Sequence, residues 1–172
     1  GMIDAYQTEG GVDTGTSTNE TYNSTNKTYS PQLAATVSFT STGTTSWTPP
    51  AGVTNLTKVL VVAAGGGGGF QVGGGGGAGG LSYQTNRTVT DTAYTVTVGA
   101  GGATGTNAST RASNGGNSVF DTITSNGGGG GGSYNNSEPK RGTGGSGGGS
   151  SRGAYPHPAI GGGSGNQGDA DR

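Results

Sequence analysis

The stretch Val59-Leu60-Val61-Val62-Ala63-Ala64-Gly65-Gly66-Gly67-Gly68-Gly69 joins the most apolar segment of the chain to five consecutive glycines. After the insert 70–72, a second run of five glycines follows at 73–77. A glycine run loses much entropy on ordering and, left alone, behaves as a flexible coil. The ordered alternative is the polyproline II form, whose backbone groups point outward and are free to pair with neighbouring chains. The sequence therefore predicts a bundle of extended glycine helices carried by a small β domain.

The composition limits the size of any side-chain core. Glycine accounts for 42 of the 172 residues, and only 26% of residues are hydrophobic, against about 45–50% apolar, counting glycine, in ordinary domains. Such a composition usually indicates disorder, which stays an alternative for the glycine-rich half. The charge repulsion that expands many disordered chains is missing, however, since eight basic residues balance nine acidic ones.

Charge and residue usage also exclude several classes of partner and site. A formal net charge of −1 offers no basic patch for nucleic acid or for a membrane surface. The longest aliphatic stretch, 59–64, is far shorter than the roughly 20 residues of a membrane span. With no cysteine and one histidine, the chain has little with which to build a metal or cofactor site. We expect no nucleic acid, no membrane insertion, no metal and no cofactor.

Alternating and β-branched segments predict an all-β fold without significant helix. Residues 35–40 and 45–48 are interpreted as a hairpin whose aromatic residues, Phe39 and Trp47, anchor the core. Further strands are predicted at 56–62, 81–85, 88–90, 94–98 and 119–124. Short pairing is expected around Tyr22 and Tyr29. At this spacing the strands favour a small antiparallel β-sandwich or meander, with packed polyglycine II-like segments between them.

The chain is divided into three parts. Residues 1–32 form a polar lead-in or connector, 33–126 a β module with interleaved glycine runs, and 127–172 a glycine-rich segment with loop inserts and a polar tail. Side-chain-bearing inserts interrupt the glycine runs at 70–72, 133–141 and 150–160. In a bundle these inserts are the turns at the ends, and turns on a rigid scaffold are where recognition residues gather.

The receptor-binding candidates are the insert residues with stacking or hydrogen-bonding side chains. They are Phe70, Tyr134, Asn135, Asn136, Tyr155 and His157. A catalytic role is not expected for any of them, because His157 lies between two prolines with no acid or nucleophile nearby. The acidic residues are dispersed, and no glycine run is followed by Lys and Ser or Thr in the phosphate-binding pattern. The sequence predicts a protein that is not an enzyme.

The chain resembles the glycine-rich domain of bacteriophage tail-fibre and related virion structural proteins. The resemblance covers about residues 36–150 and lies in the order of its segments as well as in its composition. It is carried by the succession of the segments Val37-Ser38-Phe39, 43–53, 59–69, Gly79-Gly80-Leu81 and 94–102. The later segment 115–132 fits the same pattern, because a short strand there is followed by a second glycine run.

The resemblance implies a structural or receptor-binding role in a virion tail or another extracellular setting. Its implied partners are other virion tail proteins and a host cell-surface glycan or protein, and a homo-oligomer is compatible with it. Two alternatives remain at this point. An ice-binding protein would favour regular small residues on one face, whereas these runs are irregular, and a passive glycine-rich spacer or wall protein would need no ligand. Inserts clustered at one end of an ordered bundle would favour the adhesin over the spacer.

Overall fold

The computed structural model describes residues 20–23, 28–31, 36–134, 142–151 and 163–165. The chain divides into two units, Gly1–Ser38 and Phe39–Arg172. In the first unit, strands β1 (Glu20–Asn23) and β2 (Thr28–Pro31) pair antiparallel with Tyr22 opposite Tyr29. The expected pairing around these two tyrosines is confirmed.

The second unit is all-β, as predicted, with antiparallel strands in two sheets. Its strands are β3 (Gly43–Trp47), β4 (Asn55–Val62), β5 (Leu81–Thr88), β6 (Tyr94–Val98), β7 (Ser118–Phe120) and β8 (Ile123–Ser125). One sheet has the order β3-β6-β7-β8, and the other is the hairpin β4–β5. No helix occurs in the described part of the chain, and therefore none there is long and apolar enough to cross a membrane.

The side-chain core is small and lies between the two sheets. Val61 of β4 packs with Val96, Phe120 and Ile123 of the four-stranded sheet. Alternation along each strand turns these residues inward. The buried Ser125 hydroxyl donates to the Val61 carbonyl oxygen at 2.8 Å, which ties the sheets together by a polar contact as well.

Two details of the predicted strands are wrong. Residues 36–40 form no strand, and β3 pairs with β6 instead of folding back on them. Every residue of 36–40 is exposed, so their alternating pattern has no core to face. Phe39 only touches the edge of Trp47, with ring centroids 6.5 Å apart, and it is therefore a peripheral contact and not an anchor.

The second error concerns 119–124, which was expected as one strand. Asp121 adopts a left-handed conformation with φ of 53°, and this turn splits the segment into β7 and β8, with Phe120 opposite Ile123. Aspartate is one of the few residues besides glycine that tolerate this region. Its carboxylate forms an ion pair with Arg87 of β5, which holds the turn against the other sheet.

The glycine runs are direct continuations of the strands, in the same register. Val62 lies opposite Leu81 at the end of the β4–β5 ladder. The next amide, Ala63 N–H, donates to the Gly80 carbonyl oxygen at 2.9 Å. The same pairing then recurs every third residue, from Gly66 to Gly77 at 2.9 Å and from Gly69 to Gly74 at 2.8 Å. Residues 55–88 are thus one long hairpin whose base is a β ladder and whose upper part is a glycine pair.

The same continuity of register occurs in two further strand pairs. We number the runs along the chain: run 1 (63–69), run 2 (73–80), run 3 (99–105), run 4 (111–117), run 5 (127–132), run 6 (142–145) and run 7 (146–149). Runs 3 and 4 continue the β6–β7 register through bonds from Ser113 to Ala103 and from Gly116 to Ala100. Runs 4 and 5 continue the β7–β8 register through bonds from Ala112 to Gly131 and from Gly115 to Gly128.

Run 5 is the centre of the bundle, and all six of its glycines are buried. Its bonding has a period of three, which is the period of polyglycine in the polyproline II form. The amides of Gly128 and Gly131 donate to run 1, and those of Gly129 and Gly132 donate to run 7. Its carbonyl oxygens accept from runs 2, 4 and 6. One chain segment is therefore hydrogen-bonded to five neighbours, and the predicted packing of glycine segments is confirmed.

Two asparagine side chains complete this network. The Oδ1 atoms of Asn117 and Asn114 accept the amides of Gly127 and Gly130, each at 2.9 Å. These are the amides of run 5 that no backbone carbonyl reaches. The two asparagines are three residues apart on run 4, so they follow the same period as the glycines that they satisfy.

At the centre of the bundle, glycine is required by space and not by backbone conformation. Among the described residues, only two glycines have positive φ, Gly43 and Gly52, and both lie outside the runs. By contrast, a Cβ atom on Gly128, Gly129 or Gly130 would lie closer than 3.0 Å to a backbone carbonyl oxygen of another run. Around run 5 the neighbouring runs lie so close that a methyl group has no room.

Candidate recognition surface at the tips of the glycine hairpins

The direction of the runs places the turn between runs 1 and 2, the turn between runs 3 and 4 and the end of run 5 at one end of the bundle. Run 3 bonds to run 1 in parallel, from Gly102 to Gly65 and from Gly105 to Gly68. Run 5 is also parallel to run 1, through Gly128 and Gly131. Because these three runs leave the sheets side by side in the same direction, the segments that follow them, 70–72, 106–110 and 133–134, meet at the end far from the sheets. We call this end the tip surface.

One hydroxyl group joins the three segments of the tip surface. The Oγ atom of Ser133, which is completely buried, accepts the amide of Phe70 at 2.9 Å. The same hydroxyl donates to the carbonyl oxygen of Thr110 at 2.6 Å. Serine at this position is small enough to enter the bundle and supplies both a donor and an acceptor. The relative positions of the three segments are thereby fixed.

The first segment, 70–72, is a tight turn that projects side chains outward. A bond from Gly69 to Gly74 closes it at 2.8 Å, and Gln71 has a left-handed φ of 55°. Phe70 is half-buried, whereas Gln71 and Val72 are exposed, Val72 by 59%. The sequence identified Phe70, but the two most exposed residues of this turn, Gln71 and Val72, are not among the predicted candidates.

The second segment, 106–110, contains no aromatic residue and is not among the sites predicted from the sequence. Asn107 organises it: its Oδ1 atom accepts the amide of Ser109 at 3.0 Å and the hydroxyl of Thr110 at 2.8 Å. The spacing of Asn107 and Ser109 is that of an Asx turn, which is the signal that could have located it. The hydroxyl and amide groups around Asn107 are exposed.

Of the predicted candidates, the structure describes Phe70 and Tyr134 and brings both to the tip surface. Tyr134 is half-buried and follows Ser133 directly. Asn135, Asn136, Tyr155 and His157 lie outside the described residues. Run 7 also ends at the tip surface, because Gly132 donates to Gly149 at 3.0 Å, so the chain enters the third insert, 150–160, from this end.

The chemistry of the described tip surface is polar and largely uncharged. Arg111 is the charged residue beside it, and its Nη1 atom donates to Asn114 at 2.6 Å. No group of three or more His, Cys, Asp or Glu that could hold a metal occurs among the described residues. Amide, hydroxyl and aromatic groups on a fixed scaffold form adaptable hydrogen bonds and stacking contacts. The surface has the means for recognition.

Residues 40–172 match the family model of a glycine-rich domain. The chain belongs to this family. The match of the glycine-rich domain covers all seven runs and the sheets that carry them. Neither the curated proteins nor the solved structures include a significant match.

Proposed function

We propose that this glycine-rich domain protein is a virion structural protein without enzymatic activity, a tail-fibre or tail-associated module that binds a host cell-surface receptor. In this proposal the sheets face the rest of the tail, and the tip surface faces the host. Its partners are other virion tail proteins on one side and a cell-surface glycan or protein on the other. Its location is the virion tail or another extracellular setting.

The observation that carries the proposal is the clustering of the inserts. Phe70, Thr110 and Ser133 are far apart in sequence but are joined through one buried hydroxyl at the same end of the bundle. A passive spacer has no need to gather its side-chain-bearing segments or to fix their geometry. A recognition surface needs both, because preorganised contacts lose less entropy on binding.

The test is a binding assay with variants of the tip surface. The labelled full chain is applied to a glycan array and to a panel of bacterial cells. The double variant Val72→Ala/Tyr134→Ala should lose at least tenfold in attachment, while its thermal unfolding transition stays near that of the parent. Thr45→Ala, at an exposed position of β3, is the matched control and should bind as the parent does. Unaltered binding of the double variant would move the site elsewhere and favour the spacer.

A further inference from the structure

The outward face of the β4–β5 hairpin carries four large apolar side chains. They form two adjacent cross-strand pairs, Leu60 opposite Tyr83 and Val62 opposite Leu81. Their exposed fractions are 60% for Leu60, 40% for Tyr83, 53% for Val62 and 47% for Leu81. We call these four residues the hairpin face.

This pattern differs from that of a sheet with one face in water. Val59 and Val61 already supply the apolar residues that pack on the core, so polar residues are expected at the alternate positions. The hairpin face instead exposes roughly a few hundred Å² of contiguous apolar surface, about the size of the largest apolar patch on a typical soluble monomer, and such a patch is often functional. The other large apolar residues exposed in the described chain, Val37, Phe39 and Val72, lie on other segments.

The charges around the hairpin face restrict what it can contact. Lys58 is the one charged residue that alternation places on the same side of β4, two residues before Leu60. Arg87 of β5 is engaged with Asp121 and lies over the Phe120 ring at 5.6 Å. Apart from Lys58 at its margin, the hairpin face offers no charge to a partner, so the matching surface is expected to be mainly apolar.

Beyond Val62, the surface continues over glycine. Val62, Gly65 and Gly68 are spaced by three residues and so lie on one side of a helix with three residues per turn. The amides of Gly65 and Gly68 have no partner within the described chain, and a Cβ on Gly68 would meet nothing within 4 Å. A partner that binds the four apolar side chains therefore meets no side chain from Gly65 or Gly68 beyond Val62.

We propose that the hairpin face is the contact surface between two copies of this chain. A two-fold axis that lies in the plane of contact brings the two cross-strand pairs of one copy against the two pairs of the other copy. A second copy of the chain therefore supplies the uncharged apolar surface that the hairpin face requires. Two flat sheet faces pack in this way in β-sandwiches. Two such patches together bury less than the roughly 1,000 Å² of a stable specific interface, so the dimer is weak and its population depends on the protein concentration. The proposal does not depend on receptor binding.

The first test is sedimentation velocity of the full chain from micromolar to millimolar concentration. The parent should shift from monomer to dimer over this range. Leu60→Ser/Leu81→Ser should weaken association at least tenfold, with an unchanged circular dichroism spectrum. Val72→Ser removes an equally exposed valine at the tip surface and should associate as the parent does. A parent that stays monomeric at every concentration, or a double variant that associates as tightly as the parent, overturns the proposal.

The second test uses the absence of cysteine from the chain. A single Val62→Cys variant treated with a short bis-maleimide should give a covalent dimer in high yield. A Val72→Cys variant treated in the same way should stay monomeric. Equal yields from the two variants would show that the hairpin face is not the contact.

Discussion

The two packed sheets, which form a small β-sandwich, and the glycine bundle are parts of the same hairpins, but they are stabilised by different groups. In the sandwich, strands bond to at most two neighbours within a sheet, and side chains such as Phe120 fill the space between the sheets. In the bundle, run 5 bonds to five neighbours and no side chain separates them. The register does not change at the boundary; only the bonding period changes, from two residues to three. Removing side chains thus turns a two-dimensional ladder into a three-dimensional backbone network.

The largest effect is expected where a side chain is forced into the centre of this network. Gly129→Ala places a methyl group against the Gly142 carbonyl oxygen, which must separate runs 5 and 6. Each buried backbone group left without a partner costs about 1–3 kcal/mol, and several are affected at once. We expect this variant to lose the cooperative unfolding transition of the parent, as measured by circular dichroism. A melting temperature within two or three degrees of the parent would contradict close packing of the runs.

In the sandwich, the corresponding test removes a side chain. Phe120 is buried and its ring lies 6.1 Å from that of Trp47 and 5.8 Å from that of Tyr94. Phe120→Ala should lower the free energy of unfolding by about 3–5 kcal/mol, measured by denaturant titration. Phe39→Ala, at the exposed edge of Trp47, is the control and should cost less than about 1 kcal/mol. Equal losses of stability in Phe120→Ala and Phe39→Ala would contradict a core centred on Phe120.

A smaller effect is expected from the side chains that complete the network. Asn117→Ala leaves the amide of the buried Gly127 without its acceptor, which should lower the free energy of unfolding by about 1–3 kcal/mol. Asn117→Asp keeps an oxygen at the same place and should retain most of the stability. If both variants have the same free energy of unfolding as the parent, water replaces the asparagine oxygen and the contact does not stabilise the fold.

The smallest effect, and one of opposite sign, is expected at the open edge of the bundle. Gly68 has free space around its Cα and no positive φ. Gly68→Ala should therefore be neutral or should stabilise the chain by up to about 1 kcal/mol, because it reduces the entropy of the unfolded state. Marked destabilisation would show that the edge is as closely packed as the centre.

The sequence predicted the fold class and the packing of the glycine runs. Where a strand passes directly into glycine, only backbone hydrogen bonds are left to hold the chain segments together. It could not predict the strand partners. The alternation of 35–40 matches a strand, but nothing local shows that β3 pairs with β6.

Part of the tip surface was also beyond sequence reasoning. Phe70 and Tyr134 follow from the inserts that interrupt the runs. The role of Ser133 follows only from the parallel direction of three runs, which brings Phe70 and Thr110 to one hydroxyl. The roles of Asn114 and Asn117 likewise depend on the non-local register between runs 4 and 5.

The central claim is that glycine backbone forms an ordered core with a period of three, and residue-resolved hydrogen exchange by NMR in dilute solution tests it most directly. The amides of Gly128, Gly129, Gly131 and Gly132 should be protected to a degree comparable with those of β6 and β7. In run 1, protection should alternate with the same period: Gly66, Gly67 and Gly69 slow, Gly65 and Gly68 fast, as their hydrogen bonds require. Exchange of all these glycines at the rate of an unfolded chain would contradict the account.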